Sequence, residues 1–164
     1  MTRRLILIRH AKSSWDNFYA DDHARVLNDR GVKSAEAIGK WLAAQDCIPD
    51  VIATSDATRT LQTTTLLKRG MGTVPITHEV SALYHAAPQT MIDVARAFPQ
   101  NTVALVGHNP GIAMMAEMLV KAPPDNPRFE DYPTCATTLM DFEDDTWCQP
   151  GKGQVINFVI PREL

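Results

Sequence analysis

Short apolar runs alternate along the chain with stretches whose apolar residues recur every three or four positions. Leu5–Arg9 is a continuous apolar run closed by an arginine, the pattern of a strand buried on both faces of a parallel sheet. From about Arg30 to Gln45, Val32, Ala35, Ile38, Gly39 and Leu42 fall at helical spacing, with Asn28 or Asp29 as the cap. Val51–Thr54 predicts the next strand and Asp56–Arg69 the next helix, whose end is marked by Lys68, Arg69 and Gly70. Pro75–Glu79 reads as a short strand, and Gln89–Phe98 as a helix stopped by Pro99. Thr102–Gly107 reads as a strand and Pro110–Val120 as a Met-rich helix, with Met114, Met115 and Met118 filling the core. Ala122–Pro133 holds four prolines and reads as a loop. Ala136–Phe142 and Val155–Ile160 predict two closing strands.

This alternation predicts the α/β class: a three-layer α/β/α sandwich on a mainly parallel sheet, its closing pair free to run antiparallel. At 164 residues the expectation is one domain over 1–164. The formal net charge of −3, without a basic block, argues against a nucleic-acid partner, so any anion site is local. Cys47, Cys135 and Cys148 form no disulfide framework and no Cys-x-x-Cys pair. No apolar stretch approaches membrane-spanning length, and the run behind the N-terminal arginines is too short for a signal peptide. A cytoplasmic setting without membrane association is the expectation.

Three strand ends carry the chemistry. The first strand ends in Arg9-His10, the second is followed by Ser55 and Arg59, and the late strand ends in Gly107-His108-Asn109. Ligands of open α/β sheets bind beyond the carboxyl ends of strands. Two imidazoles and two guanidiniums meeting there make a cationic pocket for phosphate with a nucleophile inside. No metal-ligand spacing and no phosphate-binding Gly-x-x-x-x-Gly-Lys loop is present. No cofactor is called for, because arginines already neutralise the phosphate.

Arg9-His10-Ala11, Ser55-x-x-x-Arg59-x-x-Gln62-Thr63 and Gly107-His108-Asn109 together resemble the histidine phosphatase superfamily, over Arg9 to about Gly111. Asp22-x-x-Arg25-x-Leu27-Asn28-x-Arg30-Gly31 and Leu83-Tyr84-x-Ala86 resemble its SixA-type phosphohistidine phosphatase branch. The superfamily usually has glycine where this chain has Ala11, which requires a backbone outside the left-handed region. The resemblance implies that His10 is the nucleophile and carries the phosphoryl group. Arg9 and Arg59 would grip the non-bridging oxygens, and His108 would donate a hydrogen bond to a third. Lys12 and Arg25 would widen the cationic rim.

The general acid is the weak point of the match. Glu79 is the candidate by position, with Asp16, Asp21, Asp22 and His85 as others. A phosphohistidine leaves as an easily protonated imidazole and needs such an acid less than an ester does. The expected substrate is therefore phosphohistidine on a protein. A small phosphate ester in the same pocket is the rival, and a non-catalytic phosphohistidine-binding module is the third reading.

Overall fold

The computed structural model describes residues 1–164. In chain order the elements are β1 (Thr2–Arg9), α1 (Asp29–Ala44), β2 (Val51–Thr54), α2 (Thr58–Met71), β3 (Ile76–Glu79), α3 (Pro88–Arg96), β4 (Thr102–Gly107), α4 (Gly111–Leu119), α5 (Arg128–Asp131), β5 (Thr137–Glu143) and β6 (Gln154–Val159). Six strands form one sheet in the order β3-β2-β4-β1-β5-β6. The first four of that order pair in parallel, while β5 pairs antiparallel with both β1 and β6. The predicted α/β sandwich is thus observed, and the closing pair takes the antiparallel option.

The sheet is covered on both faces, which accounts for the unbroken apolar runs. Leu5, Leu7, Val51, Ala53, Val103 and Leu105 point to one core, shared with Ile92 of α3 and Met115 of α4. Their neighbours Ile6, Ile8, Ile52, Ala104 and Val106 point to the other, shared with Ile38 of α1 and Leu67 of α2. Asn28 is the cap of α1, its side-chain oxygen accepting from the Gly31 N–H at 2.8 Å. No helix is long and apolar enough to cross a membrane.

Two expectations are corrected. The proline-rich Ala122–Pro133 stretch contains the single helical turn α5, nailed down by the buried side chains of Phe129 and Tyr132. Of the three methionines on α4 only Met115 is in the core, while Met114 and Met118 are exposed because they fall on the outer face.

α1 and α2 cross in backbone contact. A Cβ on Gly39 would stand 2.3 Å from the Leu67 carbonyl oxygen, and one on Gly70 would stand 2.2 Å from that of Glu36. Neither neighbour is a flexible side chain, so relief requires moving a helix. Gly39→Ala should therefore cost about 1–3 kcal/mol, read as a lower urea midpoint at unchanged slope.

Candidate active site

β2, β4 and β1 are adjacent, so their carboxyl ends form one edge. The His10 N–H donates to the Gly107 carbonyl at 3.0 Å and the Ser55 N–H to the Val106 carbonyl at 3.1 Å. This ladder continuation places the first residue beyond each strand side by side. The rings of His10 and His108 lie 5.3 Å apart between centroids.

His10 is fixed through the next peptide unit. Its Nδ1 lies 2.7 Å from the Ala11 carbonyl oxygen. A carbonyl only accepts, so Nδ1 carries the proton and Nε2 presents a lone pair. The Ala11 N–H in turn donates to Thr63 Oγ1 at 3.0 Å, and that hydroxyl donates to the Arg59 carbonyl at 2.7 Å. Ala11 has no positive φ, so its methyl is accommodated without strain. Burial, with the charges of Arg9, Arg59 and Arg25 behind it, pushes the His10 imidazole down to about 3. The arginines thus act in the expected direction, but desolvation is the larger cause.

His108 is held between Ser55 and Arg59. Its Nε2 is 2.8 Å from Ser55 Oγ and its Nδ1 is 3.3 Å from Nη2 of Arg59. Arginine only donates, so Nδ1 accepts here and Nε2–H points at Ser55. A serine hydroxyl both donates and accepts. Nε2 can therefore donate to Ser55 or accept from it, but Nδ1 could donate to an anion, as expected of His108, only where Arg59 Nη2 gives it up. Burial and the neighbouring His10 and Arg59 charges bring His108 down to about 3 as well.

Arg59 is the most enclosed cation of the site, at 2% exposure. Its guanidinium donates to the Asp22 backbone carbonyl at 2.6 Å and to Asp22 Oδ2 at 3.0 Å. Tyr84 also donates its hydroxyl to Asp22 Oδ2, and Nε2 of His85 lies 3.2 Å from the same oxygen. Partial burial opposes the charge on Asp22, but the Tyr84 hydroxyl and Arg59 outweigh it and hold the carboxyl at about 2. Arg9 donates through Nη1 to the Tyr132 carbonyl at 3.1 Å, and burial and the Arg59 charge lower its pKa. Arg25 stacks 3.6 Å above the Trp15 ring, with Nε 3.4 Å from Asp22 Oδ1. Buried N–H donors of Arg9, Arg25 and Arg59 have no protein acceptor. Three guanidiniums against Asp22, with the Asp131 charge acting on Arg9, still leave a surplus of positive charge and free donors, the requirement for a phosphoryl dianion.

Arg9, His10, Arg25, Arg59 and His108 are thus brought together. Lys12 is not: its carbonyl is turned to α1, accepting the Asn28 N–H at 3.0 Å. Its exposed side chain lines a neighbouring cleft of about 210 Å³ with Arg30, Arg128 and Arg162. Glu79 is exposed at the end of the edge strand β3 and makes no side-chain hydrogen bond or ion pair with the other site residues. Beyond it the chain turns through Ser81–Leu83 and delivers Tyr84 and His85 instead. Asp21 caps the Asp22–Ala24 turn and Asp16 is exposed. Ser55, Asp22 and Tyr84 stood inside the quoted motifs, but their roles arise from partners distant in sequence.

A model of the histidine phosphatase superfamily (branch 1) matches residues 5–84. An uncharacterised protein of Mycobacterium tuberculosis is 31% identical over 164 residues, 94% of this chain and 100% of its own length. A chloroplastic protein of Arabidopsis thaliana, also uncharacterised, is 29% identical, and the match spans 73% of this chain but 60% of that protein. A 2,3-bisphosphoglycerate-dependent phosphoglycerate mutase of Beijerinckia indica is 35% identical over 83 residues, 48% of this chain and 40% of its own. The crystal structure of a proposed phosphohistidine phosphatase SixA from Agrobacterium tumefaciens superposes with a TM-score of 0.79 at 28% identity, over 97% of this chain and 98% of that one. Its counterpart from Nakamurella multipartitia gives 0.80 at 25%, over 98% and 97%.

The buried imidazoles make stability depend on pH. Each is neutral down to about 3 when folded but titrates near 6.5 when released, so unfolding takes up protons between those values. Stability is therefore full above about 6.5 and falls as pH drops, by up to about 1.4 kcal/mol per pH unit for each ring. Asp22, depressed from 3.8 to about 2, extends the loss in the same direction at lower pH. Urea midpoints between pH 7 and 4.5 should show this decline, and His10→Asn should flatten it. An unchanged slope in that variant would place the proton uptake elsewhere.

Proposed function

The chain belongs to the histidine phosphatase superfamily, and from that membership we propose that it removes the phosphoryl group from phosphohistidine on a protein. The observation that carries the reading is the 2.7 Å bond from His10 Nδ1 to the Ala11 carbonyl, which leaves Nε2 as a neutral, aimed nucleophile inside a cationic pocket. Its depressed pKa keeps it unprotonated through the physiological range. In the first step Nε2 attacks phosphorus, the P–N bond of the substrate breaks, and the departing imidazole takes a proton from water. In the second step water attacks the phosphoryl-His10, its proton leaves to solvent, and inorganic phosphate departs from regenerated His10. Arg9 and Arg59 hold the non-bridging oxygens throughout, and their fixed forks offset the charge on the transferring group.

The leaving group decides between substrates. Of the acid candidates that reach this pocket, Asp22 at about 2 is ionised and has no proton to give at neutral pH, and His85 has its Nε2 turned to Asp22 Oδ2 at 3.2 Å. An alkoxide leaving group wants a positioned acid, whereas an imidazole is protonated readily by solvent. The likeness to two SixA structures over nearly the whole chain supports the same substrate. A small phosphate ester is the second reading, favoured by the likeness to the Beijerinckia indica mutase over 48% of this chain. A binding module without turnover would not need the Ala11 clamp on His10.

Rapid quench after mixing with labelled phosphoramidate should trap base-stable, acid-labile phosphate on the wild type and none on His10→Ala. Arg59→Lys keeps the charge but loses the fork, and kcat should fall about 100-fold or more. The kcat/KM ratio of a phosphohistidine peptide to a small phosphate ester should exceed about ten, read against the scale of one lost proton donor. A ratio below one gives the site to the ester.

A further inference from the structure

The three most exposed aromatic side chains of the protein lie within five residues of one another, beside the phosphoryl pocket. Trp15 is 72% exposed, Phe18 92% and Tyr19 99%. The other large aromatic side chains are buried or half-buried. Scattered apolar residues on a surface are ordinary, but a cluster of this kind marks an interaction site. Tyrosine and tryptophan are also the side chains that most often anchor protein interfaces.

The cluster is continuous with the pocket. A concavity of about 260 Å³ is lined by Trp15, Asn17, Phe18, Ala20, Asp22 and Arg25. Two of these residues belong to both places. Asp22 holds Arg59, and Arg25 is stacked on Trp15 while its charge acts on His10. Whatever occupies the aromatic face is therefore next to the group being dephosphorylated. A lipid surface is the wrong occupant: Asp16, Asp21 and Asp22 flank the aromatics, and no lysine or arginine occurs between Ser14 and Ala24.

We infer that the Trp15–Tyr19 segment is the docking surface for the phosphorylated protein, and that it takes an apolar side chain close to the phosphorylated residue. This rests on the proposed function and adds which feature of the partner is read. Phosphate capture by the arginines is common to any phosphorylated group, so it cannot discriminate among partners. The aromatic face supplies that discrimination through burial of apolar surface.

The test compares phosphohistidine pentapeptides with leucine or with glycine on both sides of the phosphorylated residue, alongside phosphoramidate as a substrate without flanks. For wild type, kcat/KM should favour the leucine-flanked peptide by about tenfold, the scale of two partly buried side chains. The double variant F18S/Y19S should bring that ratio to about one through KM, with phosphoramidate turnover unchanged. Both residues are outside the pocket chemistry, so that turnover also reports a correctly folded protein. An equal preference in wild type and variant overturns the proposal. So does a dimer at assay concentration that F18S/Y19S abolishes, since the face would then belong to a second copy. The same peptide pair carrying phosphoserine separates the two readings. Turnover of the phosphoserine pair alone defeats the phosphohistidine reading, while the leucine-to-glycine ratio still tests the docking face.

Discussion

A guanidinium at 2% exposure cannot remain unpaired, and the arrangement of the site follows from how Arg59 is satisfied. Its guanidinium partners come from three separate parts of the chain: Asp22, His85 and His108. Leaving such a group without a counter-charge costs several kcal/mol, on the order of 3–5 for buried pairs. The pairing with Asp22 therefore draws the Asp22–Ala24 turn over the end of β2. Tyr84 donates to the same carboxylate and brings the segment after β3 to the same place. Catalytic geometry and fold stability are here the same set of contacts.

That arrangement explains why two kinds of group coexist at opposite ends of their titration ranges. Water is excluded from His10 and His108, which makes a proton on either ring costly. Asp22 keeps partial access to solvent and sits among cations, which makes losing its charge costly. The site is therefore built of neutral imidazoles, a fixed anion and a surplus of guanidinium charge. Adding a phosphoryl dianion relieves the repulsion between Arg9 and Arg59 and supplies acceptors to donors that the protein leaves free. In the proposed reaction the favourable interaction would be greatest where charge accumulates during transfer, the condition for lowering a barrier rather than merely binding.

Much of this was legible from strand ends alone. β1, β2 and β4 are covered on both faces, so they read as unbroken apolar runs and their last residues could be placed at one edge. That located Arg9, His10, Arg59 and His108. Helix starts were less legible where Ala57 and Pro110 precede α2 and α4 without a side-chain cap. Glu79 was the acid candidate by resemblance, as it lies in the region where many relatives place that group. An edge strand, however, faces solvent on its free side, and nothing in a local pattern distinguishes edge from centre. The network around Asp22 was beyond sequence reasoning for a related cause. Its bonds join residues 37 and 62 positions apart, and only the folded topology says which strand ends are neighbours. Lys12 shows the converse, since two residues of separation from His10 did not keep it in the pocket once the chain turned beneath α1.

The segment between β1 and α1 joins the two levels of the site. Its base is pinned by the pairing of Ser13 with Leu27 and by the Ser14 N–H donating to the Val26 carbonyl at 2.8 Å. From that base Asp22 and Arg25 reach inward to the pocket. Phe18 and Tyr19, at the far end of the same segment, face solvent and bond to nothing in the core. Substitution at the tip leaves the inward residues and their partners in place, whereas substitution at the base disturbs Arg59. Under the proposed docking, a chain built this way could alter which surface it recognises without altering how it handles the phosphoryl group. The physical reason is that apolar contact at the tip would add to binding, while His10 and the charge balance around Arg59 would set the chemistry.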